Sequence, residues 1–126
     1  MSILYSFIVT ASLLFSVASI PYGAIETAFE KGDASKIVSM GEQKMLINIA
    51  GTEGVYGQTQ ATQVLKSFFD KNPCSSFSFQ FKGDDSGSGS FAIGNYKSRS
   101  GKFRVTIHFK KVSSDFKIET LTIEKD

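Results

Sequence analysis

What the chain has little of narrows its chemistry first. Its 126 residues include one cysteine and one histidine. A single thiol rules out an intrachain disulfide, and a single imidazole excludes a multi-histidine metal site. Charge of one sign is not in excess: 14 basic side chains face 12 acidic ones, a net of +2. That balance does not suggest a nucleic-acid binder, which needs a concentrated basic surface. Charge is missing altogether from residues 1–25, and Glu26 is the first charged side chain. The stretch Gly83-Asp84-Asp85-Ser86-Gly87-Ser88-Gly89 lacks the spaced acidic ligands and closing Glu of a calcium loop. It also lacks the Lys and the following helix of a phosphate-binding loop. It reads as a flexible hairpin tip, and no metal site or cofactor is expected.

The uncharged start has a pattern of its own. Ile3 to Ile20 is apolar apart from small hydroxyl residues and Tyr5. Val17-Ala18-Ser19 supplies the small residues of a cleavage site, as a secretory signal requires. The n-region departs from that pattern, having no Lys or Arg. A retained anchor is the rival, since the run is near the lower limit of about 18 residues for a membrane span; a buried core helix is the third reading, disfavoured because its Ser and Thr are not confined to one face. No basic cluster follows as a cytoplasmic stop signal. The expectation is a signal peptide over 1–19 and one domain over 20–126, exported to the periplasm or cell envelope. Membrane contact is expected only if the leader is retained.

Beyond the leader, 41% hydrophobic and 21% charged residues describe a chain that folds around one core. The spacing of Ile25, Ala28 and Phe29 predicts a helix over 21–31, with Gly32 ending it. Asp33 caps a second short helix over 34–40. Residues 44–50 read as a strand, with Val55 and Tyr56 returning beside it. A third helix follows over 58–71, its apolar face made by Ala61, Val64, Leu65 and Phe68. Asn72-Pro73 ends it. After Pro73 the apolar period changes from 3.6 to 2. Four strands follow, carrying Phe77 to Phe81, Phe91 to Ile93, Phe103 to Phe109, and Phe116 to Ile123. The slip of parity between Ile118 and Leu121 predicts a β-bulge. The expected fold is α+β, with three helices from the N-terminal half packed on a curved antiparallel sheet.

Several segments carry a resemblance. They are Ala24-Ile25, Ala28-Phe29 and Gly32-Asp33, then Tyr56-Gly57-Gln58-Thr59-Gln60-Ala61 leading into Leu65 and Phe68-Phe69. Phe77-Ser78-Phe79 ahead of Gly83, Ile93-Gly94, and Phe103-Arg104-Val105 complete the set. In this order the chain resembles the nuclear-transport-factor-2-like (cystatin-like) cone fold, and a family of uncharacterised small bacterial envelope proteins that share it. The resemblance implies an exported single-domain protein and brings no catalytic residues. Cone folds host isomerases, dehydratases, epoxide hydrolases and binding domains, so the fold does not decide the function.

Candidate residues therefore come from strand parity. The expected inward positions are Phe77, Phe79, Phe81, Phe91, Ile93, Asn95, Phe103, Val105, Ile107 and Phe109. None is ionisable, and no catalytic residue is assigned. Polar groups converging on an apolar cavity mark a small-molecule site, and Tyr56, Gln60, Asn95 and Thr120 are the candidates at the cone mouth. His108 and Arg104 have the opposite parity. With Lys82 and Lys110 they make a basic-leaning outer sheet face, the candidate partner face. Cys74 is expected as a half-buried structural thiol rather than a nucleophile paired with His108. The reading is a non-catalytic binding or interaction domain, using the cone pocket for a small apolar ligand or the outer face for a second copy or an envelope protein. The alternative is a small isomerase or hydrolase acting on a small apolar molecule.

Overall fold

The computed structural model describes residues 19–126; the expected leader lies almost entirely outside them. Among the described residues two helices lead to two strands, a third helix and four further strands. They are α1 (Tyr22–Lys31), α2 (Ala34–Ser39), β1 (Gly41–Ile49), β2 (Thr52–Gly57), α3 (Gln58–Lys71), β3 (Cys74–Lys82), β4 (Gly89–Ser98), β5 (Gly101–Val112) and β6 (Asp115–Lys125).

Local chemistry explains the helix ends. Gly32 takes the left-handed conformation, with φ 64°. Its N–H donates to the Phe29 carbonyl, and the Asp33 N–H donates to the Ala28 carbonyl at 2.8 Å. That pair of bonds is a Schellman closure, which satisfies the last carbonyls of α1. The Asp33 carboxylate then accepts from the Lys36 N–H at 3.1 Å and caps α2. Two residues thus end one helix and start the next. At the end of α3, Asn72 donates to the Phe68 carbonyl twice, from its backbone N–H at 2.9 Å and from Nδ2 at 3.1 Å.

The strands form one sheet in the order β2-β1-β6-β5-β4-β3. Strands β3 to β6 are the expected antiparallel meander. The sheet as a whole is mixed, because β1 runs parallel to β6. The expected all-antiparallel sheet is corrected at this pairing: the meander returns β6 beside β1 in the same direction. The predicted bulge is present. His108 pairs with Thr120 and Phe109 with Ile118, which leaves Glu119 as the extra residue of β6.

All three helices lie on one face of the sheet, here the inner face. Ile25, Ala28 and Phe29 of α1 are buried, with Ala61, Leu65, Phe68 and Phe69 of α3. From the sheet they meet Met45, Ile47, Phe77, Tyr96, Phe103, Val105, Ile107, Leu121 and Ile123. Phe29 stacks on Phe77 with ring centroids 4.6 Å apart.

Parity on β4 and the end of β3 differs from expectation. Ala92 and Tyr96 are buried inward, while Phe91 is exposed and Ile93 and Asn95 are half-buried on the outer face. Register explains this. Phe91 pairs with His108, Ile93 with Thr106 and Asn95 with Arg104, so these residues share the outer face of β5. Inner-face volume is already taken by rings from α1 and β3. A Cβ on Gly94 would meet the Phe77 ring at 2.4 Å, so the middle of β4 needs small residues inward, and Tyr96 is its one large inward side chain. A register shift between Phe79 and Phe81 then inverts the end of β3. Phe81 pairs with Ile93 on the outer face, and Lys82 pairs with buried Ala92 on the inner one.

Candidate functional site

A hollow lies on the inner face, where α3 crosses the β1–β2 end of the sheet. It is an open cleft of about 710 Å³. One wall is a single edge of α3: Gln60, Gln63, Val64, Ser67, Phe68 and Lys71. These positions recur at three- and four-residue intervals, as residues on one helical face must. The opposite wall is Ile49, Ala50, Thr52 and Tyr56 of the β1–β2 hairpin. Asn72, Phe103 and Lys125 close one end.

Register brings these strand residues together. Tyr56 pairs with buried Met45, which turns its ring inward. Phe103 pairs with Lys125, which sets both on the inner face. The hairpin turns through Ala50 and Gly51, at φ 52° and 89°. The Gly51 N–H donates to Asn48 Oδ1 at 3.0 Å, and the Ala50 N–H donates to the Ile123 carbonyl at 2.8 Å.

Ile49, Val64, Phe68 and Phe103 give the cleft its apolar surface. Asn72 is held in place rather than free to bind. Its carbonyl accepts from the Tyr96 hydroxyl, its Oδ1 accepts from Ser100 Oγ, and its Nδ2 caps Phe68. Burial raises the Tyr96 pKa, and Cys74 beside it adds to the shift. The hydroxyl therefore stays protonated and keeps donating. Lys125 reaches back across the floor, its Nζ 5.7 Å from the Phe103 ring centroid and 3.4 Å from the Ser100 carbonyl. The ionisable side chains of the lining are Tyr56, Lys71 and Lys125.

The four candidate ligand residues divide evenly. Tyr56 and Gln60 both line the cleft. Asn95 sits opposite Arg104, and Thr120 opposite His108 and Leu46, so these two belong to the outer face. Sequence reasoning missed Gln63, Ser67, Lys71 and Lys125. The signal available for the helix was the polar series 60, 63, 67, 71, which runs beside the apolar stripe at helical spacing. No signal marked Lys125, which joins the site only through its pairing with Phe103.

Three candidate partner residues, Arg104, His108 and Lys110, are exposed on β5 with outward parity. Lys82 is corrected to the inner side, where its Nζ lies 5.5 Å from the Tyr22 ring centroid. The outer face is also less purely basic than expected. Phe81 and Phe91 lie 5.0 Å apart, and Phe91 stacks on His108 at 5.8 Å. Phe81 and Phe91 are 45% and 42% exposed. Arg104 is drawn toward Asp126, 3.9 Å away.

Cys74 begins edge strand β3 and is half-buried. Burial first, and Glu30 second, raise its thiol pKa, the opposite of what a nucleophile needs. At the hairpin tip, Asp84 Oδ1 accepts from the Ser86 N–H at 3.1 Å and from Ser86 Oγ at 2.8 Å. These bonds lower its pKa and form an Asx-turn.

Comparison with known proteins agrees with this architecture. No curated protein matches the chain. A crystal structure of a DUF4783 family protein from Bacteroides ovatus is 29% identical, with a TM-score of 0.78 over 85% of this chain and 96% of that one. Another DUF4783 family protein, from Bacteroides fragilis, is 25% identical, with a TM-score of 0.77 over 85% and 99%. A nuclear-transport-factor-2-like protein of unknown function from Shewanella baltica shares the fold at 13% identity, with a TM-score of 0.63 over 82% and 86%. Residues 22–124 match the family described as domain of unknown function DUF4783, and the chain belongs to that family.

Proposed function

We propose that this is an exported, non-catalytic binding domain. In this reading the helices and curved sheet form a cone, and the cleft at its open end takes a small, mainly apolar molecule. One observation carries it: a cleft of about 710 Å³ with an apolar floor and a polar rim. Small-molecule sites have this character and span roughly 300–1,000 Å³. Binding would come from apolar burial, with hydrogen bonds from Tyr56, Gln60 and Gln63 fixing orientation. The lining supports binding over acid–base turnover because it presents no carboxylate or imidazole, the commonest general bases; its ionisable groups are two lysines and one tyrosine.

Native mass spectrometry of the protein isolated from its own cell envelope tests this reading. The expected species starts at Ile20 and carries an extra small-molecule mass. A Val64→Trp variant, whose indole obstructs the apolar floor of the cleft, loses that mass. A ligand-free wild-type subunit overturns the pocket reading, and an uncut leader replaces the exported domain with a membrane-tethered one.

The outer sheet face supports a second reading, as a surface for a second copy or an envelope protein. The observation behind it is the exposed pair Phe81 and Phe91 beside His108. Phe81→Ser with Phe91→Ser is expected to dissociate such a complex in size-exclusion chromatography. An unchanged elution volume removes this reading.

A further inference from the structure

We infer that the cleft selects molecules with an apolar body and one anionic headgroup, a carboxylate being the simplest. This rests on the pocket reading above and names its ligand class. Every formal charge in the lining is positive: Lys71 in the last turn of α3 and Lys125 near the end of β6. Neither lysine has a carboxylate within 4.0 Å among the described residues.

The carboxylates closest to the cleft in sequence face away from it or are engaged elsewhere; Glu124, before Lys125, pairs in register with Arg104 on the outer face. Asp70, the neighbour of Lys71, pairs with Lys66 at 3.4 Å. Asp126, the neighbour of Lys125, lies 3.9 Å from Arg104. Glu53, beside Thr52, accepts from Asn48 Nδ2 at 3.3 Å. Acidic side chains are therefore available in the sequence but not in the cleft, and the two ammonium groups lack a counter-charge beside an apolar floor. Lys125 Nζ donates to the Ser100 carbonyl over the Phe103 ring and has further N–H groups to give, so an anion at this end, where Phe68 and Phe103 line the cleft, is attracted by both ammonium groups.

One local effect opposes this. The C-terminus of α3 carries a partial negative charge, equivalent to about half an elementary charge. Asn72 reduces it by capping the Phe68 carbonyl from both its backbone and its side chain. Two full positive charges outweigh what remains. Both lysines are solvent-exposed, so screening keeps each contact modest. The inference is one of selectivity rather than of high affinity.

Titration calorimetry on the processed domain with three probes of equal chain length tests it: decanoate, decanol and decyltrimethylammonium. Decanoate is expected to bind about tenfold more tightly than decanol, the size of two partly screened ion pairs, and the ammonium probe most weakly. Lys71→Gln with Lys125→Gln should bring decanoate to the level of decanol while decanol stays unchanged. Both substitutions lie on exposed side chains, and an unchanged melting temperature shows that the fold is intact. Ser67→Trp, on the exposed rim, should weaken all binding and so locate it in the cleft. Equal binding of decanoate and decanol overturns the charge selectivity and leaves the pocket reading standing. A decanoate preference that survives the double substitution also overturns it. No binding by any probe overturns the inference together with the pocket reading.

Discussion

The two ends of the inner sheet face are built on the same principle and finish differently. Over β3, β4 and β5 the space beneath α1 is filled by rings. Phe29 stacks on Phe77 and meets Phe69 and Tyr96 edge-on at 5.8 and 6.4 Å. Tyr22 contacts Phe79 and Phe109 at 5.1 and 6.0 Å, and its hydroxyl donates to the Gly83 carbonyl at 2.7 Å. Over β1 and β2 the same face offers Met45, Ile47 and Ile49, with Tyr56 as its one aromatic ring. Nothing there fills the gap to the edge of α3, and a cleft remains. The end with more rings is filled, and the end with fewer keeps a cleft beside its buried Met45 and Ile47. A ring buries far more area than a short aliphatic chain, and a hollow lined partly by polar groups stays open to water.

This contrast is sharpest under truncation. Phe29→Ala removes the ring at the centre of the filled end and should cost about 3–5 kcal/mol, read as a lower urea midpoint. Gly94→Ala tests the same end from the opposite side. Its methyl group would collide with the Phe77 ring, and overpacking of this kind costs about 1–3 kcal/mol. If the variant is as stable as wild type, the filled end has slack and the contrast weakens.

Alkaline pH probes the filled end through its hydroxyl groups. Burial raises the pKa of both Tyr22 and Tyr96, so the fold prefers their neutral forms. That contribution is fully present below the unfolded tyrosine value of about 10 and is lost as pH rises through the folded values. The urea midpoint should fall as pH rises above about 10, and fall less in Tyr22→Phe. A flat profile would mean that these hydroxyls are not protected from solvent.

Val64→Trp in the open end should have the smallest effect on stability, within about 1 kcal/mol, because Val64 is only half-buried at the margin of the core and the added ring has the cleft to occupy. Ligand capture should nevertheless disappear. A large loss of stability would show that the cleft is part of the core after all.

Much of the architecture was legible in the residues. The three helices, the change of period after Pro73 and the bulge near Glu119 all follow from local pattern. The candidate site was only half legible. Tyr56 and Gln60 were recoverable because they flank the start of α3, and the chain itself brings them to one end of the sheet. Asn95 and Thr120 were misplaced because alternation identifies two faces of a strand without saying which is covered. On β4 the larger apolar residues, Phe91 and Ile93, face outward. The inner volume in the middle of β4 was already occupied, so Ala92 and Gly94 lie beneath the rings, and the one large inward side chain of the strand is Tyr96 near its end.

The amino-acid sequence by itself determined the elements and their ends. These depend on contacts within a few residues, such as the Gly32 closure and the Asp33 cap. The tertiary structure decided facing and convergence. One shift between Phe79 and Phe81 exchanges the sides of Phe81 and Lys82, because side chains alternate with a period of two. Lys125 joins Lys71 across 54 positions of chain only because β6 pairs with β5 at Phe103. Long-range pairing of this kind depends on which strands meet and in what register, and no local pattern near either lysine encodes it.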